Sequence, residues 1–227
     1  MQEQIREIRK RLRLAMNGVN STSMREKGMN YKIIFGVPIP ELRQIAQEYT
    51  GKVSPELAET MWQEDVRELK ILATLLYPKE AFTHDKVEEW VSTIPYLEIA
   101  EQLSRNLLSK IEEPDEAAIH LLYNRKDSYA RTVAFLIFVN LFISGVKIEA
   151  AHFNLFWVEA VRTLTSRLFG AKVYEKQAAL TALKRYGRQS EEQAERVLIE
   201  LRHLEESDSL EEQEFYNDLK FEFEYCR

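Results

Sequence analysis

Apolar side chains recur at intervals of three and four residues along almost the whole chain, and this period constrains the fold more than any other feature. Ile5, Ile8 and Leu12 show it near the start, and Leu42 and Ile45 repeat it further on. Such spacing places apolar side chains on one face of an α-helix. The seven glycines and six prolines fall between the periodic stretches, whereas a sheet protein would carry more turn residues and alternating runs. The sequence therefore predicts an all-α protein of about a dozen helices.

The predicted helices are short and their connections are brief, so each helix must pack against its neighbours in the chain. A closed bundle and a row of stacked helix pairs, an α-solenoid, both satisfy this condition. Helix starts spaced by roughly 15–20 residues give a two-helix unit of roughly 35–40 residues, which is in the range of helical repeats. We predict a solenoid that forms one domain over residues 1–227. Residues 1–30 are predicted as an N-terminal helix and linker, and residues 190–227 as acidic capping helices.

Charge is distributed unevenly along the chain. The net charge is −6, but residues 190–227 contain 13 acidic and four basic side chains, so the other 189 residues carry +3. A basic stripe on a helical surface is typical of nucleic-acid binding, although the same residues also fit solvated faces with ordinary ion pairs. The basic side chains fall in two groups: Arg6, Arg9, Lys10, Arg11 and Arg13 near the start, and Arg162, Arg167, Lys172, Lys176, Lys184, Arg185 and Arg188 later.

Several classes of protein are excluded. The chain has no glycine-rich phosphate loop, no GxSxG motif and no HExxH motif. Its four histidines are isolated and its one cysteine, Cys226, cannot form an internal disulfide or a cysteine cage. No apolar run approaches the roughly 20 residues of a membrane-spanning helix, and the first residues lack a secretory signal. We expect a cytoplasmic monomer with no metal, no cofactor and no membrane contact.

The remaining candidates for chemistry are carboxylates and aromatic residues. Pro95 and Tyr96 precede a predicted helix in which Glu98 and Glu101 are three residues apart and therefore share one face. Negative charge is favourable in the first turns of a helix because of the helix dipole. The same glutamates also fit a structural interpretation, in which Glu101 pairs with Arg105 one turn later.

Residues 31–49 resemble the opening of the AlkD-like DNA alkylation repair family, which are DNA glycosylases built from HEAT-like repeats. Gly36-Val37-Pro38-Ile39-Pro40-Glu41-Leu42-Arg43 fits the family pattern G-(I/V)-x-x-P-x-x-R. Together with the further similar pieces, the resemblance spans residues 31–187. Those pieces are Trp62, residues 67–73, residues 87–90, residues 129–134 and residues 175–186. The resemblance implies HEAT-like helix pairs that curve around a concave basic face.

The resemblance also implies roles for single residues. The W-D-x-x-D segment of the family corresponds to residues 97–101, so that Glu101 matches the catalytic aspartate with one extra methylene. Arg131 matches the family's cleft arginine, while Leu97 and Thr181 stand where the family has tryptophan. Glu101 is thus the predicted catalytic residue. The predicted DNA-binding residues are Arg131, Tyr96, Glu98, Arg162, Arg167, Lys172, Lys176 and Arg185.

Three functions remain open at this point. The first is an N-glycosylase that removes cationic 3-methyladenine or 7-methylguanine from duplex DNA, with a carboxylate stabilising an oxocarbenium-like sugar. The second is a DNA-binding protein without catalysis that recognises distorted or branched duplexes. The third is a protein-interaction scaffold, a common use of helical solenoids. The expected partner is double-stranded DNA, alkylated or distorted.

Overall fold

The computed structural model describes residues 2–124, 126–165 and 171–225, and over these residues it is all-α, as the sequence predicts. The described part contains no β-strand, only one isolated bridge between Ile33 and Val66. Three short 3-10 turns accompany the α-helices. The α-helices are α1 (Gln2–Leu14), α2 (Gly18–Glu26), α3 (Ile39–Tyr49), α4 (Pro55–Gln63), α5 (Arg67–Leu76), α6 (His84–Ser92), α7 (Leu97–Asn106), α8 (Pro114–Tyr123), α9 (Ala130–Ser144), α10 (Ala150–Thr165), α11 (Val173–Gly187), α12 (Glu191–Leu201) and α13 (Leu210–Tyr225).

Local signals explain where many of these helices begin. Pro40, Pro55 and Pro114 occupy first-turn positions, where a missing N–H leaves no partner unpaired. Ser54 and Ser190 cap α4 and α12, because each hydroxyl accepts a hydrogen bond from a backbone N–H in the first turn. Among the described residues, no helix combines the length and apolar character that crossing a bilayer requires.

The contacts group the chain into two compact units, and the single domain stays a prediction. The first unit contains residues 1–86 and 110–112. Its core includes Trp62, which is fully buried in α4. A buried pair at the start of α5 fixes the loop of residues 31–37, because Glu68 accepts hydrogen bonds from the backbone of Phe35 and Gly36 at 3.0 and 2.9 Å. Arg67 donates both to Glu68 and to the loop carbonyl of Val37.

The predicted N-terminal linker is wrong in part, since it contains α2. Asn17 caps this helix through its side chain. Two polar residues then attach α2 to the loop: Asn20 donates to the carbonyl of Gly36 at 3.2 Å, and Ser21 donates to that of Ile34 at 2.9 Å. No α2 side chain is buried, so the helix carries no apolar period from which it can be predicted.

The second unit contains residues 87–109 and 113–227. The centre of this unit is α9, which packs against α7, α8 and α11. The apolar character of α9 all round its axis predicts such a central position, and most of its side chains are buried. A cluster of aromatic rings fills the space between α9 and the following helices, where Phe138 is tilted against Phe156 and Phe142 meets the same ring edge to face.

The acidic C-terminal segment forms α12, a 3-10 turn and α13. Its spacing predicts six inward side chains, of which Leu201, Leu204, Phe215, Leu219 and Phe223 are buried and Leu198 is half-buried. Phe223 packs directly on Gly187 at the end of α11, where a Cβ atom would lie 2.3 Å from the ring. The segment is therefore an integral layer of the second unit.

Candidate functional site

The two candidate glutamates lie at the start of α7, in the second unit. Tyr96 occupies the N-cap position in an extended conformation, and its side chain does not cap the helix. Ile99, Ala100 and Leu103 are buried and attach α7 to the core. Glu101 follows the buried residues Ile99 and Ala100 but lies on the other face of α7. Its side chain is therefore exposed to solvent.

The electrostatic environment of Glu101 disfavours negative charge. Partial burial of the carboxyl raises its pKa, and the neighbouring charge of Glu98 raises it further, while Arg105 acts in the opposite direction. Arg105 is nevertheless not an ion-pair partner, and in the described ranges Glu101 forms no ion pair within 4.0 Å. The structural interpretation, a simple pair between Glu101 and Arg105, is therefore not observed. An ionised carboxylate that has no ion-pair partner is stabilised more by an approaching positive charge than one that is already paired.

Two tyrosines that sequence reasoning did not single out lie beside this helix start. Tyr129, just before α9, stacks on Tyr174 in α11, with ring centroids 5.1 Å apart and an interplanar angle of 29°. Burial raises the pKa of Tyr129, as do Tyr174 and Tyr96, whereas a hydrogen bond with the backbone of Leu97 lowers it. The influence of the Leu97 backbone and of Tyr96 on this pKa indicates that the Tyr129 hydroxyl lies near the start of α7. Nothing in the chain order of these tyrosines indicates that they meet.

Arg131 lies in the interior of the second unit, where it is 7% exposed. It donates to Glu159 at 2.9 Å and to Thr163 at 2.7 Å, both in α10, and to Glu175 in α11. A further bond joins it to the carbonyl of Leu122 in α8. The guanidinium thus connects four helices, and this arrangement does not support the predicted contact with a DNA phosphate.

The other predicted DNA-binding residues fall into different environments. Arg162 pairs with Glu159 at 2.8 Å while remaining 60% exposed. Lys176 pairs with Glu211 of α13 and lies over the ring of Phe215. Lys172 is exposed, and within the described part of the chain its ammonium donates a hydrogen bond only to a backbone carbonyl, that of Ser128. Arg185 is half-buried in α11, and Arg167 lies outside the described residues.

The acidic segment neutralises much of the basic face of α11. Lys184 pairs with Asp218 at 2.6 Å and with Glu222 at 3.9 Å. Arg188 pairs with Glu222 as well. The ordinary interpretation of these cations, in which they pair within the chain, therefore holds for Lys176, Lys184 and Arg188. Sequence spacing does not indicate it, because the partners are more than 30 residues away.

The first unit, taken by itself, contains exposed cations that form no ion pair with another described residue. Arg6, Lys10 and Arg13 are separated by four and three residues, so they form one stripe on α1. Their neighbours Arg9 and Arg11 differ, since they pair with Glu64 and Glu48 at 3.0 Å each. We refer to Arg6, Lys10 and Arg13 as the α1 stripe.

A second group of cations in the first unit brings together three elements. Burial lowers the pKa of Lys110, and so do the nearby charges of Lys79 and Arg43. Arg43 is the arginine that ends the G-(I/V)-x-x-P-x-x-R pattern. His84 holds the adjacent backbone through a 2.9 Å hydrogen bond with the carbonyl of Glu112. The mutual repulsion of these cations makes this surface attractive to an anion.

The family model of the DNA alkylation repair enzymes matches residues 8–196. The chain belongs to this family. The match confirms the resemblance, and it covers both glutamates at the start of α7. No curated protein matches the chain.

The family's helical architecture is also found in a solved structure. The chain is similar to a protein described as belonging to a new family related to the HEAT-like repeat DNA glycosylases, with affinity for branched DNA structures. The two share 11% sequence identity and superpose with a TM-score of 0.75, over 95% of this chain and 93% of the other. This likeness confirms the predicted HEAT-like helical fold.

Proposed function

We propose that this member of the family binds duplex DNA and releases cationic alkylated purines, such as 3-methyladenine and 7-methylguanine. One observation carries the proposal, namely the environment of the Glu101 carboxylate. It is exposed, lacks an ion pair among the described residues, and has a raised pKa beside Glu98. Such a carboxylate is stabilised by a positive charge placed against it.

The proposed reaction needs only electrostatic assistance. A purine alkylated at N3 or N7 is already cationic, so its bond to C1′ breaks with the electron pair leaving on the base. Positive charge then develops on the sugar, and the carboxylate of Glu101 stabilises it. A water molecule adds to C1′ and gives up a proton to solvent, which completes hydrolysis. No strong acid is required, and no histidine or metal takes part in these steps.

Cations outside the internal ion pairs would hold the DNA backbone. Lys172 is available in the second unit, and the α1 stripe is available in the first. Contacts of this kind do not read sequence but fix the position of the duplex. They also make affinity fall as salt concentration rises, because each neutralised phosphate releases counterions.

A second candidate function, binding of distorted or branched DNA without catalysis, is favoured by two observations. Leu97 and Thr181 stand where the family has tryptophan. The similar solved protein is described as having affinity for branched DNA.

The decisive experiment measures release of 7-methylguanine from methylated duplex DNA. We expect release by the wild-type chain and a loss of about 100-fold or more in Glu101→Gln, the magnitude typical of a lost transition-state contact. Glu88→Gln, an exposed glutamate on α6, serves as the matched control and should retain activity. Equal release by wild type and Glu101→Gln would remove Glu101 from the mechanism. Binding of a four-way junction without any release would establish the second candidate.

A further inference from the structure

Two donor groups beside the start of α7 share a single weak acceptor. The ammonium of Lys172 and the phenol of Tyr174 both donate to the backbone carbonyl of Ser128, at 3.2 and 3.5 Å. All three residues lie at the surface, with Lys172 and Ser128 exposed and Tyr174 half-buried. A neutral carbonyl is a poor partner for a cation, and a bond of 3.5 Å is at the limit of hydrogen bonding. The two donors therefore retain capacity for a stronger acceptor.

The same two residues border an aromatic surface. The Lys172 ammonium lies 5.7 Å from the centroid of the Tyr174 ring, and Tyr174 stacks on Tyr129. Tyr129 is itself half-buried rather than enclosed. Two partly solvated rings with a cation over one of them are unusual as core packing, because an interior position would be filled by a residue without a hydroxyl.

We infer that Lys172, Tyr174 and Tyr129 form a subsite for one nucleotide of the DNA strand, in which Lys172 and the Tyr174 hydroxyl bind the phosphate and the stacked rings contact the sugar and base. The inference rests on the proposed function, since it assumes that DNA binds. A phosphate oxygen is a charged acceptor and replaces the Ser128 carbonyl with charge-assisted bonds. Aromatic side chains stack on any nucleobase, so this contact is independent of sequence.

The position of the subsite connects it to the candidate catalytic group. The backbone of Leu97, one helical turn before Glu101, lies close enough to the Tyr129 hydroxyl to lower its pKa. A nucleotide on the tyrosines thus lies next to the face of α7 that presents Glu98 and Glu101. The stacked tyrosines supply aromatic surface in a chain that has Leu97 and Thr181 at the family's tryptophan positions.

The test measures binding of the full chain to a fluorescent duplex that contains one tetrahydrofuran abasic site, by anisotropy at several salt concentrations. Lys172→Gln should weaken binding several-fold and lower the slope of log K against log salt by about 1, as the loss of one phosphate contact requires. The exposed residue Lys147 supplies the matched control, because Lys147→Gln changes the charge equally and should leave affinity and slope unchanged.

A second pair of variants tests the rings. The double variant Tyr129→Leu/Tyr174→Leu should lose about 10-fold or more in affinity while its salt slope stays the same, since stacking carries no counterion release. Tyr129→Phe/Tyr174→Phe keeps the rings and should lose less affinity than the leucine variant, because it removes only the hydrogen bond of the Tyr174 hydroxyl to the phosphate. Tyr123→Leu, at an exposed tyrosine of α8, is the control for the substitution itself. Thermal melting of each variant verifies folding.

The outcomes separate the subsite from the proposed function. If the wild-type chain binds the duplex but Lys172→Gln behaves as Lys147→Gln does, the subsite is wrong and DNA binding stands. If the wild-type chain binds no duplex at any salt concentration, the proposed function fails, and the subsite fails with it. If the leucine double variant is destabilised, Lys172→Gln alone tests the subsite, because the Lys172 side chain is exposed and its replacement should not disturb folding.

Discussion

Protonation of Glu101 determines when its carboxylate can stabilise a cation. Because burial and Glu98 raise its pKa, the folded state favours the protonated form more than the unfolded state does. The stabilising contribution of this shift is present below the unfolded pKa and is lost as pH rises through the folded pKa. Glu101→Gln should therefore not destabilise the protein at pH 7, which makes it a clean test of chemistry.

A pH profile of base release tests this electrostatic environment. The ionised carboxylate is the active form, so activity should fall as pH drops through the raised pKa of Glu101. Glu98→Gln removes the second cause of the shift and should move this acid limb to lower pH. Glu88→Gln is the control and should leave the limb in place. An acid limb that Glu98→Gln does not move would show that another group governs the profile.

Among the described glycines, Gly36 is the one that the fold requires most strictly. Its φ is +75°, and a Cβ atom there would lie 2.1 Å from the carbonyl oxygen of Asn17 and 2.7 Å from the backbone nitrogen of Ser21. The loop cannot move away easily, because Glu68 holds the backbone N–H of Gly36 at 2.9 Å. The family pattern G-(I/V)-x-x-P-x-x-R thus begins at a position where the structure leaves no room for any side chain.

We expect Gly36→Ala to lower the free energy of unfolding by about 3 kcal/mol or more, as left-handed strain and overlap with backbone atoms combine. Gly51→Ala is the matched control, since its φ of +72° is nearly the same and nothing lies within 4 Å of the added carbon. It should lose only about 1–2 kcal/mol from strain. Urea denaturation measures both values, and equal losses would contradict the role of the close contact.

At the scale of helices, Arg131 joins elements that the sequence keeps far apart. It extends from α9 to carboxylates of α10 and α11, and Glu159 is itself 3% exposed. A buried carboxylate without its cation is strongly unfavourable, which explains why arginine is required here whether or not DNA binds. The family resemblance identifies the position of Arg131, while the contacts assign it to the interior.

Arg131→Met should therefore lower the free energy of unfolding by about 3–5 kcal/mol, because Glu159 and Glu175 would lose a buried partner. Arg162→Met offers a control that removes the exposed partner of the same Glu159, and it should cost less than about 1 kcal/mol. Chemical denaturation compares the two. A wild-type stability for Arg131→Met would mean that the network is not structural.

For the whole molecule, the segregation of charge has a tertiary explanation. Three acids of α13 pair with Lys176, Lys184 and Arg188 in and just after α11, so the acidic segment neutralises part of the later basic group. The cations that form no ion pair with another described residue are the ones available to bind a polyanion such as DNA. They include Lys172 in the second unit and the α1 stripe in the first.

The salt dependence of duplex binding tests which of the basic side chains contact DNA phosphates. Arg6→Gln/Lys10→Gln should lower the slope of log K against log salt by about 2, since each contact contributes about 0.9. Arg9→Gln/Arg11→Gln changes the formal charge of the same helix equally, but these arginines already pair with Glu64 and Glu48, so the slope should change less. Identical slopes for the two double variants would exclude the α1 stripe as a phosphate contact.

The helices were predictable because their signals are local. The three- and four-residue period, the first-turn prolines and the apolar character of α9 all act within one or two helical turns. The failure at α2 has the same origin, because its stability comes from Asn20 and Ser21 bonding a loop more than ten residues away. A helix without an apolar face leaves no local pattern to detect.

The sequence by itself determined that the protein is all-α and to which family it belongs, and it identified Glu101 as the candidate catalytic residue. The spacing of apolar residues and the order of the motifs are properties of the chain alone. Only the tertiary structure decided which charges remain for a ligand. It buried Arg131, paired Lys176 with Glu211, and stacked Tyr129 on Tyr174. These partners are separated by 28 to 45 residues, and a charge is available for binding only if folding brings no opposite charge against it.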